Sequence, residues 1–305
     1  MDFTTLFMKM VMLMLLIIVG YVCARLKITD KEFNNKITPV MMNIFLPATI
    51  INSLAAMNGD TANREVFVAI LWAFIVFILA AILAFAVTKL FGMNDEFGRV
   101  SVLTVTFPNN GFVGLPMVEL IFGSGAVFFA SLTNIPFNVL IYPMAAVLIG
   151  SAEGRKIPIK QIFSAPLIST LLVIVLFLFR LQLPDVLADT VSTIAGATVP
   201  VSMIIIGTSL GAVSLRELFG DRRIYVLALT RLILCPLASW GLMKLLGCSE
   251  YLTGIMVCIS ACPSAMVPTV LCIQHGKDPT LASKTAFVTT LFSVVTMPLM
   301  VSLLL

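Results

Sequence analysis

Charged side chains are scarce in this sequence. Aspartate, glutamate, lysine and arginine make up 11% of its 305 residues, whereas 60% of the residues are hydrophobic. Soluble domains carry about 25% charged residues, and the mean hydropathy of +1.09 is far from their balance. The scarcity of charge excludes a water-soluble globule and predicts a membrane protein with several spans.

Histidine and paired cysteines are also missing. His275 is the single histidine, and the six cysteines contain no C-x-x-C pair. We therefore expect neither a zinc site nor a disulfide framework, and we expect no metal ion and no cofactor. The net charge of +4 forms no basic stripe interleaved with aromatic residues, so nucleic acid is not an expected partner.

Catalytic constellations are lacking as well. Gly207-Thr208-Ser209-Leu210-Gly211 has the G-x-S-x-G spacing of a nucleophile elbow, but that motif needs a strand-to-helix turn and a general base. The lone His275 lies in a different connection of the chain. We therefore do not expect an enzyme.

Long apolar runs fill most of the chain. A bilayer crossing takes about 20 apolar residues as a helix, and the runs do not alternate with the period of two that a membrane barrel shows. The sequence predicts an all-α fold with ten spans. They are residues 5–24, 38–57, 66–91, 100–122, 125–149, 162–181, 190–212, 224–246, 251–273 and 281–305.

Basic residues are concentrated in alternate connections. Because lysine and arginine are retained on the cytoplasmic side, this asymmetry predicts a multi-pass protein of the cytoplasmic membrane with both termini outside. Fourteen of the nineteen basic residues lie on one side: Arg25, Lys27, Lys31, Lys36, Lys89, Arg99, Arg155, Lys156, Lys160, Arg216, Arg222, Arg223, Lys277 and Lys284.

Prolines recur between the two halves at nearly equal offsets. The pairs are Pro47 and Pro200, 153 residues apart, Pro108 and Pro263, 155 apart, and Pro143 and Pro298, 155 apart. The offsets predict a duplicated unit of five spans, residues 1–152 and 153–305. Since five is odd, the second copy enters the membrane inverted, an arrangement typical of carriers that work by alternating access.

Two spans contain pairs of prolines that favour broken helices. Pro108 and Pro116 flank the fourth-span sequence NNGFVGL, and Pro263 and Pro268 flank SAMV in the ninth. Broken helices at membrane depth leave amides and carbonyls that must line a buried or hydrated cavity, and their N-termini attract anions. The alternative is that the prolines only kink packed helices. The expected contacts of a small organic anion are Pro108, Asn109, Asn110, Gly111, Pro116, Pro263, Ser264, Pro268 and Thr269, with Asn43 and Ser202 from the second and seventh spans.

Two charged residues fall inside spans. Arg231 in the eighth span could balance an anionic substrate, or it could reach the membrane interface by snorkelling or bond to carbonyls freed by Pro236. Glu119 in the fourth span could accept a coupling proton, or it could be a solvated residue at the outer mouth. No carboxylate lies between either pair of prolines, which argues against a cation/proton antiporter, while sodium coupling through carbonyls stays open.

Four motifs resemble one transporter family. They are NNGFVGLP, PVSMIIIGTSL, RLILCP and ACPSAMVPTVLCIQHGKDPTLASKTAFVTTLFSVVTMPLM. Together they resemble the auxin efflux carrier family in its bacterial permease branch, within the bile, arsenite and riboflavin-type transporter superfamily.

The resemblance covers essentially the whole chain. It implies ten helices in two inverted repeats, with a scaffold of spans 1, 2, 6 and 7, a mobile transport unit of spans 3–5 and 8–10, and crossed helices four and nine. It also implies carboxylate substrates such as malate, malonate or an auxin-like acid. A homodimer stays open, and so does the identity of the coupling ion, a proton or sodium.

Overall fold

All regular structure in the described part of the chain is helical. The computed structural model describes residues 3–56, 63–93, 95–150, 163–211 and 220–305, and it contains no strand there. Four of the basic residues predicted on the cytoplasmic side, Arg155, Lys156, Lys160 and Arg216, lie outside these residues. The predicted all-α class is therefore confirmed.

Sixteen α-helices follow one another along the described residues. In chain order they are α1 (Phe3–Arg25), α2 (Lys31–Val40), α3 (Leu46–Ala55), α4 (Asn63–Leu90), α5 (Glu96–Thr106), α6 (Leu115–Phe122), α7 (Ser124–Ser131), α8 (Asn134–Leu148), α9 (Ala165–Leu178), α10 (Asp185–Gly196), α11 (Thr198–Gly211), α12 (Arg222–Leu229), α13 (Cys235–Leu245), α14 (Glu250–Ser260), α15 (Val267–Gln274) and α16 (Thr280–Leu304).

Six helical stretches among the described residues are long and apolar enough to cross a membrane. They are Lys31–Ala55, Asn63–Leu90, Ser124–Leu148, Asp185–Gly211, Arg222–Leu245 and Thr280–Leu304. Four shorter apolar stretches lie between them, at Val11–Arg25, Asn110–Phe122, Ala165–Leu178 and Glu250–Ser260. The protein is thus a multi-pass membrane protein with six helical stretches of spanning length among the described residues, and the ten spans stay a prediction.

Helix starts follow short polar signals in the sequence. Asp95 caps α5 by accepting the N–H of Gly98 over 3.1 Å, and Ser249 caps α14 by accepting the N–H of Leu252 over 3.3 Å. Such caps satisfy donors that the first turn of a helix leaves unpaired. They fix where the apolar helices enter their spans.

Three proline-started helices are each preceded by a single π-helical turn. The turns are Met41–Phe45 before Pro47, Asn110–Gly114 before Pro116 and Thr230–Leu234 before Pro236. In each case the proline lies in the first turn of the α-helix that follows the π turn, inside a continuous helical path, so its missing N–H removes one bond of that path. The wider turn accommodates the ring without ending the helical path.

The described residues form two compact units built from interleaved stretches. The first unit draws on Met1–Ile70, Gly111–Asn134 and Ser164–Val213, and the second on Leu71–Asn110, Ile135–Phe163 and Ser214–Leu305.

Close packing of α1 against α11 is the main feature of the first unit. A Cβ on Gly207 would lie 2.1 Å from the carbonyl oxygen of Ile17, and a Cβ on Gly20 would lie 2.4 Å from that of Ile204. The two glycines therefore let the main chains approach each other directly, as small residues do between membrane helices.

Three phenylalanines form the centre of the second unit. The ring centroid of Phe107 lies 5.9 Å from that of Phe77 and 5.3 Å from that of Phe137. Phe77 and Phe107 are almost fully buried, and the tilted and edge-on ring geometries are those that aromatic pairs prefer. Because Phe107 follows the last residue of α5, this cluster anchors the point where that helix stops.

Candidate functional site

The fourth span is interrupted between α5 and the π turn that follows it. Phe107 adopts an extended conformation with φ −100° and ψ 108°, as expected for a residue before a proline. The ninth span stops in the same way after Ser260, and Pro263 stands in the gap before α15. Pro108 and Pro263 thus occupy the two breaks, as the sequence predicts.

The breaks are shorter than the sequence predicts. Pro116 and Pro268 were expected to lie in irregular chain, but each sits in the first turn of a regular helix, α6 and α15 respectively. A proline at that position stabilises a helix start because its N–H would be unpaired in any case. Only the first proline of each pair breaks a helix.

The two breaks cross each other as a short antiparallel bridge inside the second unit. The N–H of Asn109 donates to the carbonyl oxygen of Pro263 over 2.8 Å, and the N–H of Ala265 donates to that of Phe107 over 2.9 Å. Between these bonds Pro108 faces Ser264. This is the position in an antiparallel ladder where no N–H is needed, so Pro108 fits without loss.

The free N–H of Ser264 is held by a third helix. It donates to Thr289 Oγ1 of α16 over 3.1 Å, and that hydroxyl in turn donates to the carbonyl oxygen of Thr285 over 2.8 Å. Residues 264 and 289 are both buried, where an unpaired N–H would cost free energy. Thr289 therefore fixes the crossing against α16.

Arg231 fills the other side of the crossing. Its guanidinium donates to three main-chain carbonyl oxygens, Nε to Cys262 over 2.8 Å, Nη1 to Val105 over 3.0 Å and Nη2 to Ile259 over 3.3 Å. The side chain is 1% exposed. The carbonyls that it binds belong to the ends of α5 and α14 and to the break after α14, and not to the turn freed by Pro236.

Six buried hydroxyl groups in the described part of the second unit have no hydrogen-bond partner in the protein, those of Thr253, Thr296 and four residues of the crossing, α15 and α16. Thr106 and Ser264 belong to the crossing, Thr269 lies in the first turn of α15, and Thr285 lies one turn before Thr289 in α16. All four residues are buried. Buried polar groups are normally paired, so these four hydroxyls are candidate contacts for a polar ligand.

The start of α15 offers a further anion-binding feature. No side chain caps this helix, and Met266 stands at its N-cap position. The positive dipole end of the helix therefore lies next to Ser264 and Thr269 in sequence, although Pro268 has no N–H and the N–H of Thr269 donates to the carbonyl oxygen of Met266. Uncapped helix N-termini attract anions.

The predicted site residues are divided between the two units. Pro108, Asn109, Asn110, Arg231, Pro263, Ser264, Pro268 and Thr269 belong to the second unit, and Asn43, Gly111, Pro116, Glu119 and Ser202 belong to the first. The crossing brings the 108–109 and 263–264 segments into direct contact.

The predicted residues of the first unit have local roles in the structure. Asn43 Nδ2 donates to the carbonyl oxygen of Pro39 over 2.8 Å on an exposed face, and Ser202 Oγ donates to that of Val199 over 2.9 Å in a buried position. A Cβ on Gly111 would lie 2.8 Å from Leu46 Cδ1. Glu119 is partly buried, and its Oε2 atom has no hydrogen-bond partner.

Comparison with known proteins assigns the family. A family described as "Membrane transport protein" matches residues 5–158 and 152–301. The chain belongs to this membrane transport family. An uncharacterized transporter of Methanothermobacter thermautotrophicus is 28% identical over 293 residues, covering 94% of each chain. An uncharacterized transporter of Methanocaldococcus jannaschii is 25% identical over 293 residues, again covering 94% of each chain.

Family membership confirms the resemblance to auxin efflux carrier-type transporters. The family and these two relatives are transporters and not enzymes. Membership gives the general activity, which is the movement of a solute across a membrane. It does not specify which solute is moved.

Proposed function

We propose that the protein is a secondary active transporter that moves a small organic anion across the cytoplasmic membrane by alternating access. The candidate substrates are carboxylates such as malate or malonate, or an auxin-like acid. The observation that supports this proposal best is the crossing of two interrupted helices, at which Ser264 and Thr269 present buried, unpaired hydroxyl groups.

Charge at the crossing favours an anion over a cation. Arg231 brings a full positive charge into the second unit, and α15 begins with an uncapped N-terminus nearby in sequence. The segments 105–110 and 259–269 contain no aspartate or glutamate. A carboxylate would accept hydrogen bonds from hydroxyl and amide donors there without bringing a second buried charge of the same sign.

Several features support an inverted duplication as the basis of alternating access. The proline offsets place the junction of the repeats at residues 152–153, and the two family matches meet at residues 152–158. The two breaks lie in the fourth and ninth helical stretches, which are equivalent in such a repeat. In carriers of this plan, a central binding site opens first to one side of the membrane and then to the other. We also propose the predicted scaffold of spans 1, 2, 6 and 7 and the extracytoplasmic placement of both termini.

A proton- or sodium-coupled carrier of another solute is the second candidate. Glu119, with its unpaired Oε2 atom, supports proton coupling because a partly buried carboxylate can load and release a proton during transport. A homodimer also stays open.

Uptake by purified protein in liposomes tests the proposal. We expect saturable uptake of one carboxylate class from a panel of malate, malonate, an indole carboxylate and a neutral sugar, with the solute recovered chemically unchanged. Uptake of the sugar alone, or of a metal cation in exchange for protons, would contradict the organic-anion proposal. Imposing a pH gradient or a sodium gradient across the same liposomes identifies the coupling ion.

A further inference from the structure

Two helix C-termini meet at the crossing. The last turns of α5 and α14 both end there, inside the membrane protein, and the final carbonyls of a helix carry its negative dipole end. Water cannot satisfy such carbonyls in a buried position, so the protein must supply donors or a positive charge.

The sequence leaves three particular carbonyls without their helical partners. In a continuous helix the carbonyl of Val105 would accept the N–H of Asn109, but that N–H bonds to Pro263 instead. The carbonyl of Ile259 would accept the N–H of residue 263, which is a proline and has none, and it accepts the N–H of Cys262 over 3.2 Å instead. The carbonyl of Cys262 lies in the break itself.

Arg231 donates to all three carbonyls, of which that of Ile259 also accepts the N–H of Cys262. Its bonds of 2.8, 3.0 and 3.3 Å reach Cys262, Val105 and Ile259, so one side chain joins the ends of both interrupted helices. The guanidinium fork presents five donors in a fixed plane and stays charged in proteins. Such a group can donate to several carbonyl oxygens that converge from two segments of the chain.

The charge of Arg231 has no carboxylate to balance it. Among the described residues, none of the five ion pairs includes Arg231. A buried charge without compensation is strongly unfavourable, and here the compensation comes from the negative ends of α5 and α14. In other proteins a bound metal cation can meet such converging carbonyls.

We propose that Arg231 is the resident cation of the crossing. It takes the position that a bound sodium ion would need, so the crossing forms without a metal cation and substrate binds without sodium. Arg231 is thus a positioning residue that holds the two breaks together and does not touch the solute. The part of this inference that concerns transport rests on the proposed function, and the part that concerns assembly does not.

The experiment compares the wild-type protein with Arg231→Gln, Arg231→Lys and the control Arg222→Gln. Arg222 is an exposed arginine in the first turn of α12, the helix that leads into the π turn of Arg231. Thermal unfolding of each purified variant is measured without substrate in sodium chloride and in choline chloride of equal ionic strength. Carboxylate uptake into liposomes is then measured in the same two salts.

We expect the wild-type protein and Arg222→Gln to unfold at the same temperature in both salts and to transport equally in both. Arg231→Gln should unfold at a temperature lower by roughly 5 °C or more, because the buried carbonyls of Val105 and Cys262 lose their donor and that of Ile259 loses one of its donors. Its uptake should fall by about tenfold or more. The unfolding temperature and uptake of Arg231→Lys should lie between those of the wild-type protein and Arg231→Gln, because the charge stays while the planar set of donors is lost.

Three results would overturn the inference. They are a wild-type protein that needs sodium for stability or uptake, an Arg231→Gln variant with wild-type stability and uptake in choline, and an Arg231→Lys variant no better than Arg231→Gln. If no carboxylate is transported by any variant, the proposed function fails, but the unfolding measurements still decide the role of Arg231. The wild-type comparison of the two salts decides it even if a variant does not fold.

Discussion

The main-chain N–H of Asn109 donates to the carbonyl oxygen of Pro263 over 2.8 Å. The bond joins the two interrupted helices through backbone atoms, so any side-chain change at position 109 other than proline leaves it in place. The side chains at the crossing can therefore be varied to test solute binding while the crossing itself is kept.

Replacing Asn109 or Asn110 with alanine should weaken transport and leave folding largely intact. A side chain that donates to a carboxylate contributes about 1.5–3 kcal/mol, so affinity should fall roughly tenfold or more for each variant. Initial uptake rates over a range of carboxylate concentrations give the change in KM. Asn63→Ala, at an exposed position in the first turn of α4, is the control. Unchanged affinity in both variants would mean that the two asparagines are structural.

Removing the unpaired hydroxyls of Ser264 and Thr269 should lower transport without lowering stability. Ser264→Ala and Thr269→Val should keep or raise the unfolding temperature, since a buried hydroxyl without a partner is unfavourable. Both should lower carboxylate uptake if the solute pairs with these groups. Thr296→Val is the matched control because its hydroxyl, farther along α16, is also buried and unpaired. Equal uptake by all three variants would place the solute elsewhere.

Replacing Thr289 with valine should destabilise the crossing. The change keeps the shape of the side chain but removes the acceptor of the Ser264 N–H, and an unsatisfied buried N–H costs about 1–3 kcal/mol. Thr290→Val is the control, because Thr290 Oγ1 only donates to the carbonyl oxygen of Ala286 in its own helix. Denaturation in detergent should show a loss for Thr289→Val alone, and Thr289→Ser should retain most of the stability.

Alanine at Gly207 should destabilise the first unit. Its Cβ would come within 2.1 Å of the carbonyl oxygen of Ile17, so α1 and α11 would have to move apart, at a cost of about 1–3 kcal/mol. Gly241→Ala in α13 is the control, because a Cβ there meets no atom within 4 Å and alanine favours the helix. A lower unfolding temperature for Gly241→Ala than for Gly207→Ala would contradict the packing described for these helices.

The sequence predicts the positions of the breaks but not their lengths. Pro108 and Pro263 stand out because each lies inside a long apolar run, and a proline there cannot continue a helix. Pro116 and Pro268 have the same covalent restriction, yet they begin helices. Whether a proline breaks a helix or lies in its first turn depends on whether the carbonyls before it find other donors. Those donors can be distant in sequence, as Arg231 is from Val105.

The role of Arg231 shows the same limit. Its place inside a span follows from the apolar residues around it, but its partners are 28, 31 and 126 residues away. Nothing local distinguishes an arginine that meets a solute from one that meets carbonyls. The one sequence signal is that Pro263 removes the helical donor of the Ile259 carbonyl, which Arg231 contacts.

The buried threonines of the site could not be singled out from sequence. Thr285 and Thr289 lie one turn apart in α16, but Thr289 Oγ1 donates to its own helix and accepts the N–H of Ser264, whereas Thr285 Oγ1 has no partner. A threonine in a helix commonly bonds back to a carbonyl three or four residues earlier. Only the neighbours in space show which hydroxyl is left over.

The π turns before Pro47, Pro116 and Pro236 shift the positions of the later residues around the helix axis. Each holds one residue more than an α-helical turn would, and one residue corresponds to about 100° of rotation around the helix axis. A helical wheel drawn straight through residues 31–55 or 222–245 therefore assigns the later residues to the wrong side. Cysteine-labelling scans of these segments have to be phased separately before and after each turn.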